Sequence, residues 1–274
     1  MTNSAPPTQL PPSTSSPVNV EFITLPISHF LKFNLEPQLI SIINRGYNKP
    51  RFKYGVIDTA RVKEDGGSLL KDFQIDEEII DDTWFCLALA TGTENGNGDE
   101  IKFDSSDSGS QLTKKLIQKY PIGSLNFQNL TNTTSTSIIA KSTQLLQQIL
   151  SSTTPQELEF QILGTIAIKP HSPTTSQTYA ITAFTSFYPS VSSLLFTHIT
   201  QFAKQQLHVE KFWIDVIEEH DLVGFYEKLG FVFIERVTCK VDPVTKALVG
   251  EDGGLEGGIR ANCDFHLVLM YKDL

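Results

Sequence analysis

The chain has 274 residues, with 31 Asp and Glu against 22 Lys and Arg, a formal net charge of −9, and 18 Phe. That length suits one decorated domain with about 200 ordered residues and a single core. The acidic balance and the lack of any basic run exclude a general binder of nucleic-acid backbones, and lean toward a cationic or neutral partner.

Residues 1–17, rich in Pro, Ser and Thr, read as a disordered tail. No basic-then-apolar leader opens the sequence and no window approaches a membrane span, so the expected location is the cytoplasm, with the nucleus as an option. The N-x-T sequons at Asn129 and Asn132 carry little meaning without a secretory route. Cys86, Cys239 and Cys263 show no CxxC or Cys/His spacing, which predicts neither a disulfide framework nor a zinc site.

The fold is expected to begin with a strand at 18–27, VNVEFITLPI, which alternates and is β-branched. Residues 36–48 place Leu39, Ile40, Ile42, Ile43 and Tyr47 on one helical stripe, with Pro37 in the first turn. Residues 49–67 read as a mobile segment and 68–73 as a short helix. The apolar run 82–91 is of strand length, and 92–156 reads as an insertion holding two helices, QLTKKLIQKY and IIAKSTQLLQQIL. Strands are predicted at 158–170, 178–187 and 211–217, with a helix at 190–207 between the last two. HDLVGFYEKLGF, 220–231, reads as a short helix stopped by Gly230 at the position where a left-handed residue is wanted. Strands at 231–242 and 263–274 close the chain around the Gly-rich loop 250–258. That loop precedes a strand instead of a helix, so it is no dinucleotide fingerprint. Hairpin-type pairing of the early strands and crossovers later give an α/β class with a mixed sheet.

The order strand, loop, helix, strand, short helix, strand at 178–236, together with FYEKLGF, resembles the GNAT superfamily of acetyl-CoA-dependent N-acetyltransferases. The resemblance extends loosely to 18–91 and 260–274, and the insertion has no counterpart in it. It implies a twisted mixed central sheet flanked by helices, acetyl-CoA as co-substrate without a metal, and direct attack by a primary amine in a ternary complex. The acceptor class stays open among small amines, amino acids, polyamines and protein or peptide amines. No nucleic acid or membrane partner is implied. The alternative reading is a non-catalytic GNAT-like module that senses acyl-CoA or binds protein.

In that family a loop of pattern Q/R-x-x-G-x-G/A leads into a helix whose unsatisfied N–H groups and dipole hold a pyrophosphate. The matching residues are Phe187, Tyr188, Pro189, Ser190, Val191 and Ser192, continuing to Ser193, so serine stands at both glycine positions. Serine there is expected to cap the helix and to allow a tighter backbone approach. Ile181, Thr182 and Ala183 are the implied contacts to the pantetheine arm. Tyr226 is the implied donor to the departing thiolate, with a core tyrosine as the bland alternative. Glu219 and Leu222 stand where the family tends to have Asn and Ala.

A base for the amine is sought among carboxylates and histidines near the cofactor strand. Glu218, Glu219 and His220 are the favoured group, against a solvated acidic turn; Glu157, Glu159 and Asp215 are the remaining candidates. His198, beside the polar face of its helix, and His266 read as structural.

Overall fold

The computed structural model describes residues 18–63, 68–91, 109–120, 125–127, 135–172, 177–249 and 259–274. The predicted tail 1–17 and the Gly-rich loop 250–258 lie outside these residues, as do both sequons.

One mixed sheet organises the chain. β1 (Val18–Pro26) pairs antiparallel along its length with β2 (Trp84–Thr91), and β2 with β4 (Ile162–Pro170). β4 pairs antiparallel with β5 (Thr178–Ser186), which is followed by β6 (Lys211–Ile217) in parallel. Antiparallel pairing of β6 with β8 (Phe265–Asp273), and of β8 with β7 (Val232–Cys239), completes that side. A short β3 (Leu125–Phe127) adds to the outer edge of β1, so the order across the sheet is β3-β1-β2-β4-β5-β6-β8-β7. The expected class, a mixed central sheet flanked by helices, is therefore observed.

β2 and β4 are buried almost throughout, which explains why they read as continuous apolar runs. The strand predicted at 158–170 is in fact a helix followed by a strand. Thr154 and Glu157 form a capping box that starts α6 (Pro155–Gln161), and β4 begins only after it. Two short helices, α1 (Ile27–Lys32) and α3 (Leu69–Asp72), flank α2 (Glu36–Tyr54). α2 runs six residues beyond the predicted end and through Pro50. Pro50 has no N–H to offer the Gly46 carbonyl, but one lost bond does not stop a helix whose buried face is held by the core.

The described part of the interval 92–156 is built into the core. α4 (Gly109–Lys119) buries Leu112 and Leu116, and α5 (Ser135–Ser152) buries Leu146. The Ser142 hydroxyl of α5 accepts the Thr24 backbone N–H of β1 at 3.1 Å.

α7 (Val191–Gln206) supplies the crossover that parallel β5 and β6 require. Its His198 is buried, not beside a polar face. The ring stacks on Phe22 at 4.4 Å, and Nε2 shares a hydrogen bond with the Thr24 hydroxyl at 2.7 Å. Burial lowers its pKa from 6.5 to about 4. Because the folded value lies below the unfolded one, the unfolded chain takes up the proton first. The stability from a neutral His198 is complete above pH 6.5 and is lost as pH falls toward 4, amounting to about 3 kcal/mol. Thermal melts across this window should fall more gently with acid in His198→Phe than in the parent; parallel slopes would contradict the assignment.

Candidate functional site

β5 and β6 are bonded only through Thr178–Lys211, Tyr179–Phe212 and Ala180–Trp213. Beyond these pairs β5 stays with β4 while β6 stays with β8, and the two part. The bend in β5 has a local cause. Its register with β4 slips between Thr165 and Ala167, and Ala183 takes a left-handed φ of 48° there, with its carbonyl held by the Thr165 hydroxyl at 2.7 Å. α2 and residues 57–61 roof the opening and leave a cleft of about 680 Å³, within the size range of small-molecule sites.

α2 approaches β5 closely at Gly46. A Cβ at that residue would lie 2.3 Å from the Thr185 methyl. The rest of the roof comes from Tyr47 and the following turns of the helix.

Tyr226 lies on the wall of this cleft, on α8 (Val223–Lys228). The helix ends in a Schellman motif: Gly230 at φ 89° donates to the Glu227 carbonyl at 2.9 Å, and Phe231 donates to the Tyr226 carbonyl at 3.1 Å. The Phe231 ring meets the Tyr226 ring edge-on at 5.8 Å, the hydrophobic contact that accompanies such an ending. Phe184 and Phe225 complete the surround at 6.3 and 5.1 Å. Burial drives the phenol pKa strongly upward, so Tyr226 keeps its proton at neutral pH.

The other end of the cleft is polar. Trp213 and Asp215 of β6, Lys169 of β4, His171 just after it, and Arg61 of the roof loop line it together. His171 stacks on Trp213 at 4.7 Å, and the Trp213 indole N–H donates to Asp215 at 2.8 Å. Asp215 reaches the water of the cleft but is walled by protein, and that loss of hydration raises its carboxyl pKa despite the indole bond and the nearby His171 and Lys169. Burial lowers Lys169 to about 8, with Arg61 pushing the same way.

The residues named from sequence divide sharply in placement. Ile181, Thr182 and Phe187 line the cleft. Ala183 does not; the bulge turns it into the core. Tyr188 through Ser193 continue from Phe187 into the start of α7. Tyr188 and Val191 are buried, the former donating its hydroxyl to the Tyr120 carbonyl at 3.1 Å, whereas Pro189, Ser190 and Ser193 are exposed and Ser192 is partly so. The expected serine cap is absent. Ser190 precedes the helix at a left-handed φ of 68°, a conformation natural to glycine, and its side chain makes no capping bond.

Among the favoured bases, only His220 lines the cleft. It stacks on Tyr54 at 5.8 Å, and burial lowers its pKa to about 4. Glu218 is occupied by Arg236 at 2.8 Å. Glu219 accepts the His266 backbone N–H at 3.0 Å and faces the His266 Nδ1 at 2.8 Å. Glu218, Glu219 and His266 form the one candidate metal-binding group found among the described residues, and it lies off the cleft. Glu157 serves the α6 capping box, and Glu159 pairs with Arg45 at 2.7 Å. Neither lines the cleft.

Arg61, Lys169, His171 and Trp213 escaped sequence reasoning. Lys169 left a signal, a lone charge in the apolar run ILGTIAIKP. Arg61 left none, since it stands in a segment without periodicity.

Residues 15–274 match the family described as Sporulation protein RMD6. The chain is 26% identical to Sporulation protein RMD6 of Saccharomyces cerevisiae over 263 residues, 95% of this chain and 97% of that protein. Among solved structures, an N-acetyltransferase from Staphylococcus aureus Mu50 is 11% identical with a TM-score of 0.37, covering 93% of this chain and 97% of that one. A putative streptothricin acetyltransferase from Bacillus anthracis str. Ames, in complex with acetyl coenzyme A, is 18% identical with a TM-score of 0.29, covering 42% of this chain and 57% of that one. Likeness at these TM-scores and identities says nothing of activity.

The close approach at Gly46 fixes the roof of the cleft. Gly46→Ala should lower stability by about 1–2 kcal/mol, because overpacking against Thr185 outweighs the gain in helix propensity. Adding Thr185→Gly, which removes both the methyl and the Cβ that the new side chain would meet at 2.3 and 2.5 Å, should make the double variant lose less than the sum of the two single losses in denaturant melts; additive losses would contradict a direct clash.

Proposed function

The chain belongs to the Sporulation protein RMD6 family, and we propose that this member is an N-acetyltransferase that moves an acetyl group from acetyl-CoA to a primary amine. The observation that carries this reading is the parting of parallel β5 and β6 over a cleft with Tyr226 in its wall. Strands that separate present backbone groups no sheet partner uses, which suits an extended, amide-bearing arm such as pantetheine. The α7 N-terminus, which has no side-chain cap, begins at Val191, four residues after Phe187, and suits the phosphates. Ile181 and Thr182 would flank the arm.

Acetyl-CoA supplies an acetyl thioester, whose C–S bond breaks as the amine nitrogen bonds to the acetyl carbon, leaving a thiolate and one proton to be placed. Of the two described carboxylates on the cleft wall, Asp215 and Asp221, Asp215 stands on β6 just past its last pair with β5, and it takes the proton from the amine. Its raised pKa makes it a better base than an ordinary surface aspartate. Tyr226 donates a hydrogen bond to the sulfur. With its phenol pKa pushed far above that of a thiol, it stabilises the thiolate without surrendering its own proton. His220, neutral at physiological pH, belongs to the wall near Tyr54 and carries no charge to the reaction.

A non-catalytic acyl-CoA-binding module is the second reading, favoured by Ser190, whose side chain occupies a left-handed position at the phosphate end. Thiol release from acetyl-CoA over an amine panel separates the two. The enzyme should release thiol, and Tyr226→Phe should slow kcat by about 10²-fold or more with little change in CoA affinity. Stabilisation by CoA in thermal melts without thiol release from any amine would favour the module, and no stabilisation at millimolar CoA would contradict both.

Asp215→Asn should have opposite effects on activity and stability. An acid whose folded pKa is raised stabilises the fold only while protonated, and that contribution is lost as pH rises through the folded value. At pH 7 the asparagine variant should therefore melt higher than the parent while losing most activity. A variant that melts lower and keeps full activity would remove Asp215 from the base role.

A further inference from the structure

The large apolar side chains that this protein leaves in water gather on one strand. Among the described residues eight are exposed, and four of them, Val232, Phe233, Ile234 and Val237, belong to β7. Every residue of that strand from Val232 to Thr238 is exposed, so neither of its faces is covered along this stretch. The adjacent β8, in contrast, buries side chains of both faces, Leu267 on one and Val268 on the other.

β7 is also the last strand of the sheet. One edge of its backbone pairs with β8, and on the other edge, among the described residues, no hydrogen bond takes up the N–H and C=O groups of Val232–Thr238. An open row of this kind pairs readily with another strand, and proteins usually blunt it with lysine, proline or brevity. β7 uses none of these: it runs for eight residues with the sequence VFIERVTC. β3, at the opposite edge, has only three.

The strand is its own complement. Pairing with Tyr271, Leu269 and Leu267 puts Val232, Glu235 and Val237 on one face, and pairing with Met270 and Val268 puts Phe233 and Arg236 on the other. The register slip at Ile234 is what brings Val232 and Val237 to the same side. Two β7 strands set antiparallel about a two-fold axis, with their bulges facing, bring Val232 of one copy to Val237 of the other and Phe233 to Arg236, each contact made twice. Apolar then meets apolar on one face. On the other, a guanidinium held by Glu218 at 2.8 Å meets an aromatic ring. The charges of the strand, Glu235 and Arg236, cancel, so two chains of net −9 meet here without a local like-charge cost.

We propose that β7 is a dimer interface, at which two copies of this chain pair edge to edge and antiparallel and join their sheets into one. β8 stands between β7 and β6, so this pairing leaves the opening between β5 and β6 untouched. The interface is therefore independent of whether the cleft transfers an acetyl group.

Sedimentation equilibrium of the full chain, across a wide concentration range, should show a dimer. F233K combined with V237K should give a monomer with the circular dichroism of the parent, and the β7 amides that do not bond to β8 should exchange faster in it than in the dimer. Cysteine pairs read the register even if that variant fails to fold. On a C263S background, V232C mixed with V237C should cross-link between copies on oxidation. A parent chain that sediments as a monomer overturns the proposal, whether its β7 amides exchange freely or another part of the chain protects them. A dimer that F233K and V237K leave intact overturns it too, as does the absence of the cross-link from chains that dimerise.

Discussion

β5 and β6 are joined by three residue pairs and then separate, and the architecture of the site depends on that separation. A continuous pairing would have satisfied the backbone groups along Ile181–Ser186 and Ile214–Ile217 and left a closed sheet. The bulge at Ala183, secured by the Thr165 hydroxyl, bends β5 toward β4, while seven antiparallel pairs hold β6 to β8. The strain of a left-handed alanine is small beside the pairing on either side of it. Space opened in this way is roofed by α2, which can come near enough only because Gly46 has no side chain.

The stretch HDLVGFYEKLGF shows how sequence and site are linked. Gly230 supplies the left-handed residue, the Schellman bonds fix the end of α8, and Phe231 packs on the ring two bonds of the motif bring beside it. Tyr226 thus has a defined position before any ligand enters. Its depth in the wall, with three phenylalanines around the ring, makes its phenol a persistent donor.

Much of this was legible in the sequence, and the remainder has identifiable physical causes. Apolar runs announced β2, β6 and β8, and the helical stripe announced α2 and α7, because each buries one face or both. The end of α2 was not legible: local rules stop a helix at Pro50, whereas the packed face of the whole helix overrules one missing bond. The site was legible only where it follows local pattern, as at Tyr226, Ile181 and Thr182. Glu218 and Glu219 follow the end of β6 and looked available, but Arg236 and His266, distant in sequence, take them up. Arg61 and Lys169 meet through tertiary contact with Phe73, for which spacing along the chain gives no sign.

The account turns on acetyl-CoA lying between the parted strands. Hydrogen exchange of the backbone amides with and without CoA reads that location directly. The account predicts new protection confined to Ile181–Ser186 of β5, Ile214–Ile217 of β6 and the first turn of α7, with Thr178–Ala180 already protected in the free chain by its pairing to β6. Protection that falls elsewhere, or none at saturating CoA, would contradict it.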